Sequence, residues 1–325
     1  MRYTRRVGAG AFQYDEYTHW GNLPEGWVFN DVVGVGVDSK DNVYVFSRSE
    51  HPVTIFRSDG TFLGSWGEGL FTRPHALYLT NDILFLVDDI GHAIYKFTLD
   101  GKQLMVIETA DHPADTGYDG TLMDSVKRSG PPFNTPTAVY VAPDGSLFIA
   151  DGYGNSRIHH YTADGRLIHS WGEPGREPGQ FITPHDTYVD AAGLVYVSDR
   201  QNCRVQIFDA QGNLVRIWSD IHYPCDIYEG QDGHLYFAEV GGVFMAPGQV
   251  EDLTAPHARI TIRSQAGDIL CEWTEQDHLG AGKFFAPHGI VTDSHGDIYV
   301  GEVIRSYPGG KAPADGCALR KYVKI

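Results

Sequence analysis

The chain has 325 residues, with 25 Lys and Arg against 42 Asp and Glu, a formal charge of −17, and 42% hydrophobic residues. That length builds a sizeable core, and so acidic a surface repels phosphate backbones and anionic lipid, so neither nucleic acid nor a membrane is expected as a partner. Four Cys (Cys203, Cys225, Cys271, Cys317) without a CxxC pair exclude a disulfide framework and a thiolate zinc knuckle, while 15 His stand out beside them.

The N-terminal stretch MRYTRRVGAGAFQYDEY carries basic residues with no apolar segment behind them, so it does not read as a secretory leader. No apolar run approaches the roughly 18 residues of a membrane helix. A cytoplasmic protein is the expectation.

Further along, one unit recurs six times. The repeats begin VVGVGVDSKDNVYVFSR, PHALYLTNDILFLVDD, PTAVYVAPDGSLFIADGY, PHDTYVDAAGLVYVSDR, PCDIYEGQDGHLYFAEV and PHGIVTDSHGDIYVGEV. A third run follows most of them, such as TIFRSDG or RVQIFDAQG, and then a fourth, such as TFLGSWG or NLVRIW. Each run is short, rich in Val, Ile, Tyr and Phe, and bounded by Gly, Asp or Asn, which is strand-and-hairpin chemistry. Four strands per repeat of about 40–45 residues predict an all-β, six-bladed β-propeller with four antiparallel strands per blade. A single domain over 1–325 is expected, with blades near 32–67, 73–108, 135–172, 183–220, 223–273 and 286–325. The last repeat lacks an outer strand. The segment around Phe12–Tyr17 is expected to supply it, because an open blade leaves strand edges unpaired. Two stretches, Thr109–Phe133 and Gly241–His257, are too long for hairpin turns and read as either surface excursions or lids.

Aligned on the residue after the leading Pro, which five repeats keep, the six units show Val33, His75, Thr137, His185, Cys225 and His288. The three His fall in alternate blades, two, four and six. Equivalent positions of a propeller lie at one height around the channel, so three imidazoles are expected about 120° apart, facing one axis. Three neutral imidazoles with an open fourth position make a catalytic-type zinc site, and the same set suits other divalent transition metals. The remaining His read mostly as turn, loop or surface residues, with His51 and His222 as candidate rim contacts. A second ring, at the end of each second strand, holds Arg48, Asp89, Gly152–Tyr153, Arg200, Val240 and Val303. Two Arg near a cation call for an anion between them, which points to a small anionic substrate; alternatively each pairs with an acid such as Asp199 or Asp89. Tyr153, in the turn DGYGNSR, reads either as a general base, since a phenol beside a metal and an Arg loses its proton more readily than in water, or as a stacking residue on the rim.

On these residues the sequence resembles the NHL-repeat propellers and, within them, the peptidyl-α-hydroxyglycine α-amidating lyases, from about Leu23 to the C-terminus. Pro74–His75, Pro184–His185 and Pro287–His288 match the three P-H motifs that carry the family's zinc ligands. Tyr153 in DGYGNSRI matches its catalytic Tyr, and Arg48 in FSRSEHP and Arg200 in DRQNCR match its two Arg near the metal. The resemblance implies a metal-dependent C–N lyase that splits an α-hydroxy amide bearing a carboxylate into an amide and an aldehyde such as glyoxylate. Gly289 stands where animal members have an acid linked to a structural calcium, which argues against calcium there, and Gly154 replaces a disulfide Cys of the animal enzyme. No monooxygenase domain precedes the repeats, so this chain is not expected to make a peptidyl-hydroxyglycine itself. Two other readings stand beside the lyase: a metal-hydroxide hydrolase of the lactonase or esterase kind on the same three His, and a non-catalytic NHL propeller that binds a protein or peptide.

Overall fold

The second strand of each repeat is β-branched and aromatic, and most are buried from end to end, as in Val43–Ser47, Leu147–Asp151, Val195–Asp199, Leu235–Glu239 and Ile298–Glu302. Such a run suits a strand covered on both faces. Fourth strands such as Leu167–Trp171 and Leu214–Trp218 begin exposed, as outer edges do. The computed structural model describes residues 2–109, 112–242, 255–274, 285–306 and 316–325. Among these residues are five sheets in which four successive strands pair in order and a sixth in which three successive strands are joined by strands from the N-terminus, the six-bladed β-propeller fold.

Blades one, five and six belong to a compact unit of residues 1–68 and 225–325, and blades two, three and four to another of residues 69–224. In the first unit, Tyr14, Tyr236, Trp273 and Tyr322 share one core cluster, and Trp20, Phe56 and Tyr299 another. In the second, Phe148, Phe181 and Phe208 pack between blades three and four, and Phe85, Phe133 and Tyr161 between blades two and three.

Blade six takes its fourth strand from the N-terminal segment: Phe12–Thr18 pairs antiparallel with Leu319–Lys324, Tyr14 opposite Lys324 and Thr18 opposite Arg320. Outside it lies a fifth strand, Arg2–Ala9, that the repeat pattern did not predict. It belongs to no repeat, and its alternation (RYTRRV) is mostly exposed. A buried ion network locks this closure. Arg320 is 0% exposed; its Nη1 donates to Glu16 Oε1 at 3.1 Å and its Nε to Glu302, while the Tyr322 hydroxyl donates to Glu16 Oε1 at 3.1 Å.

Two acidic devices repeat around the blades. At the turn between strands one and two, Asp38, Asp190 and Asp293 each accept the backbone N–H groups two and four residues on, within 2.8–3.0 Å, which is why an acid marks each of these turns. At the end of strand two, a buried carboxylate accepts N–H groups from the loop that leads into strand one. Asp88 takes Thr72 and Arg73, Asp151 takes Asn134, Asp199 takes Ile182, and Glu302 takes Phe285 and Ala286.

Residues 110–111 of the first expected insertion, 243–254 of the second, and His278 lie outside the described residues. Among the described residues, no helix is long and apolar enough to cross a membrane.

Removing one member of a buried ion pair leaves the other charge uncompensated, at about 3–5 kcal/mol. Arg320→Met removes the cation paired with buried Glu302, while Glu16 keeps Arg5, so the urea midpoint is expected to fall by an amount equivalent to that range. A midpoint equal to that of the parent protein contradicts the locking role.

Candidate metal centre and active site

Backbone bonds bring the two predicted rings side by side within blades one, two, three, four and six. A residue one or two beyond the end of strand two donates its N–H to a carbonyl one or two residues ahead of the position aligned on His. Arg48 thus binds Asp31 (2.9 Å), Asp89 binds Arg73 (3.3 Å), Tyr153 binds Thr135 (3.3 Å), Arg200 binds Thr183 (3.0 Å) and Val303 binds Ala286 (3.1 Å). Thr135 and Thr183 adopt φ of 66° and 61°, a left-handed conformation that β-branched residues avoid. The carboxylate clamps hold the adjoining N–H groups and so oppose relaxation of that strain.

In the 69–224 unit, His75 and His185 are 0% and 2% exposed, with ring centroids 5.0 Å apart. His75 Nδ1 lies 2.7 Å from the Thr137 carbonyl, the aligned position of the next blade. A carbonyl only accepts, so Nδ1 carries the proton and Nε2 keeps a lone pair. The Tyr153 hydroxyl lies between the two imidazoles, 2.9 Å from His75 Nε2 and 3.3 Å from His185 Nε2. Arg200 is buried, with Nη1 3.4 Å from that hydroxyl and Nε donating to Gln201 Oε1 at 3.1 Å. The acids suggested as its partners are engaged elsewhere. Asp199 is held by Arg204 and Asn202, at 2.7 and 2.8 Å, and burial pushes it up to about 6. Asp89 is held by Arg73.

Tyr153 needs Gly on both sides. A Cβ on Gly152 would strike the Pro184 carbonyl, and one on Gly154 the side chain of Asn134. The first insertion closes over this turn: Thr116 Oγ1 donates to the Gly154 carbonyl at 2.5 Å, Asn134 Nδ2 to the Ala114 carbonyl at 2.9 Å, and Arg157 Nη1 to the Gly130 carbonyl at 2.7 Å. Its short 3-10 turn, Met123–Ser125, sets the Met123 sulfur 3.0 Å from Gln201 Nε2 and 3.5 Å from Arg200 Nη2. The insertion is therefore part of the site wall in this unit. Burial raises the Tyr118 hydroxyl above its ordinary value, and the Arg73 charge pulls it back. Repeat alignment missed Met123, Tyr118 and Arg73. The first two stand in an insertion with no counterpart in other repeats, and Arg73 is signalled only by lying two residues before His75.

In the other unit, His288 is 7% exposed and repeats the pattern of His75: its Nδ1 lies 2.9 Å from the Val33 carbonyl, the aligned position of blade one, which leaves Nε2 with a lone pair. Arg48 donates through Nη1 to Ser306 Oγ at 2.7 Å, with Asp31 Oδ2 at 3.6 Å. Its acidic neighbour is thus Asp31, which spacing had not suggested. His51 bonds Glu68 at 2.8 Å and stacks on Trp27. His75, His185 and His288 are all buried imidazoles, and in His75 and His288 the Nδ1 proton is spent on a carbonyl, a donor set that fits a divalent transition metal.

The NHL repeat family matches residues 133–161 and 181–208, in blades three and four. Peptidyl-glycine alpha-amidating monooxygenase A of Xenopus laevis is 30% identical over 327 residues, covering 89% of this chain and 32% of that protein. A probable peptidyl-alpha-hydroxyglycine alpha-amidating lyase of Caenorhabditis elegans is 32% identical over 162 residues, 49% of this chain and 43% of that protein. The chain thus spans about a third of the first relative and under half of the second. Among solved structures, a streptogramin B lyase superposes with a TM-score of 0.58 at 14% identity, over 94% of this chain and 97% of that one, a likeness of fold. The chain is a six-bladed β-propeller with NHL repeats in blades three and four, and it is similar to proteins named peptidyl-alpha-hydroxyglycine alpha-amidating lyase.

Proposed function

We propose that this protein is a metal-dependent C–N lyase that cleaves an α-hydroxy amide carrying a carboxylate into an amide and an aldehyde acid such as glyoxylate. The observation that carries the reading is the Tyr153 hydroxyl, within hydrogen-bond reach of His75 Nε2 and His185 Nε2 and 3.4 Å from Arg200 Nη1. Proton acceptor, metal donors and anion-binding cation converge on one point of the 69–224 unit.

In this reading His288 joins His75 and His185 as the third ligand of zinc or another divalent transition metal. Such a metal, when bound, supplies Lewis acidity toward the substrate's hydroxyl oxygen. The chain's own residues do the rest. Arg200 and Arg48 hold the carboxylate, for which a guanidinium fork is the matched partner. Tyr153 takes the proton of the carbinol hydroxyl, the electrons of that O–H bond form the aldehyde C=O, and the C–N bond breaks. The departing amide nitrogen receives that same proton from Tyr153, so Tyr153 ends as it began and the products balance the substrate. Met123 and the insertion behind it limit water at Arg200.

Metal analysis of the purified chain tests the ligand set. About one equivalent of transition metal is expected, and His185→Ala should lose most of it. A metal-free parent protein, or a variant with full occupancy, rejects the metal reading.

Turnover tests the reaction. With α-hydroxyhippurate, glyoxylate and benzamide are expected in equal amounts. No turnover there beside hydrolysis of a lactone panel would assign the site to a hydrolase instead.

Tyr153→Phe keeps the ring and removes the proton acceptor. Its kcat is expected to drop by roughly 10²–10⁴, the usual worth of a general base, with metal content unchanged. Activity close to that of the parent removes Tyr153 from the step.

A further inference from the structure

Asp89 stands at the position of blade two that Arg48 and Arg200 hold in blades one and four, and the chemistry above gives it no task. Nor does the fold need it as a clamp, since its neighbour Asp88 already accepts the Thr72, Arg73 and Gly91 N–H groups. Yet Asp89 is 0% exposed, a placement that is costly for a carboxylate unless it is paired and hydrogen-bonded. Its oxygens accept from Arg73 Nε at 2.8 and 2.9 Å, from Arg73 Nη2, and from the Ile90 N–H at 2.7 Å. Burial works against the Arg73 charge, and the hydrogen bonds and charge of Asp89 hold its pKa above the ordinary value all the same.

Arg73 is fixed along its whole length. Its N–H is held by Asp88 at 2.9 Å, its carbonyl by the Asp89 N–H at 3.3 Å, and its guanidinium by the Asp89 fork. The guanidinium carbon lies 5.9 Å from the centroid of the Tyr153 ring, and that of Arg200 lies 5.2 Å from it, both within cation–π range. A tyrosine ring swings easily about its second torsion, while the Tyr153 hydroxyl has to stay within reach of two imidazole nitrogens at once.

We propose that Arg73, held by Asp89, is a positioning residue that fixes the Tyr153 ring so that its hydroxyl stays at the His75 and His185 nitrogens. The proposal rests on the reading of Tyr153 as the proton acceptor. Arg200 binds the substrate's carboxylate and touches the same ring; Arg73 is committed to Asp89 and faces the ring. Its loss therefore shows in the chemical step and spares substrate binding.

The test uses the full chain with α-hydroxyhippurate and, in parallel, 3-fluorotyrosine at position 153 observed by ¹⁹F NMR. Arg73→Leu is expected to lower kcat by roughly two- to fivefold, the scale of one cation–π contact from a partly exposed guanidinium, with KM unchanged and metal content unchanged. Arg73→Lys should recover part of the loss. The fluorine resonance should shift or broaden in Arg73→Leu and hold its place in Arg166→Leu, a substitution on an exposed turn. Because Arg73→Leu strands a buried carboxylate, the double variant Arg73→Leu/Asp89→Leu is measured beside it and should show the same kcat loss in a normally folded chain. Unchanged kcat with an unmoved resonance overturns the proposal, and so does a rise in KM at constant kcat, which would make Arg73 a substrate contact. If the parent protein turns over no substrate, the lyase reading fails by itself and the fluorine resonance alone decides whether Arg73 positions the ring.

Discussion

Much of this protein hangs on a carboxylate buried at the end of the second strand of a blade. Asp88, Asp151, Asp199 and Glu302 each accept N–H groups from the loop that enters the first strand of the same blade. A loop at that depth has no water for its donors, and an ionised acceptor makes shorter and stronger bonds than a carbonyl. The bonds also act at the right place. The clamped loop ends at the Pro-His step or its equivalent, and the clamp itself is followed at once by the residue of the second ring.

From this one contact the site geometry follows. The residues beyond the clamp, Asp89, Tyr153 and Arg200, return an N–H to the carbonyls of Arg73, Thr135 and Thr183, and Arg48, which follows Ser47 in blade one, does the same to Asp31. Side chains that are 15 or more residues apart in sequence are thereby neighbours within a blade. The imidazoles are then oriented from the neighbouring blade, through the carbonyls of Thr137 and Val33. Blades one and three, which lack a His at that position, are thus not idle, since their carbonyls set the tautomer of His288 and His75.

Blade three departs from the pattern most, and Tyr153 stands in it. Gly on either side of Tyr153 lets its backbone touch Pro184 and Asn134, and the insertion packs onto the same turn through Thr116 and Gly130. A chain with a formal charge of −17 sets two guanidinium groups against this one phenol. One of them is balanced by Asp89. The other, Arg200, donates to Gln201 and lies against Met123 and the Tyr153 hydroxyl.

The sequence by itself carried the repeat, the four-strand blade, the acid-marked turns, the N-terminal strand that completes blade six, and the three aligned His with Tyr153, Arg48 and Arg200. Each of these is legible because it recurs: a periodic fold writes equivalent positions at equivalent spacings. Residues that do not recur were invisible to that comparison. The strand Arg2–Ala9 lies outside every repeat, Met123 and Tyr118 sit in an insertion, and Arg73 is read as loop until its fork onto Asp89 is seen. Which acid serves which Arg was likewise beyond reach, because Asp199 beside Arg200 and Asp89 in the aligned ring were both nearer in pattern than Asp31. Tertiary structure decided those pairings, since a buried charge takes the partner that packing brings to it, and packing, unlike spacing, is set by all neighbouring strands at once.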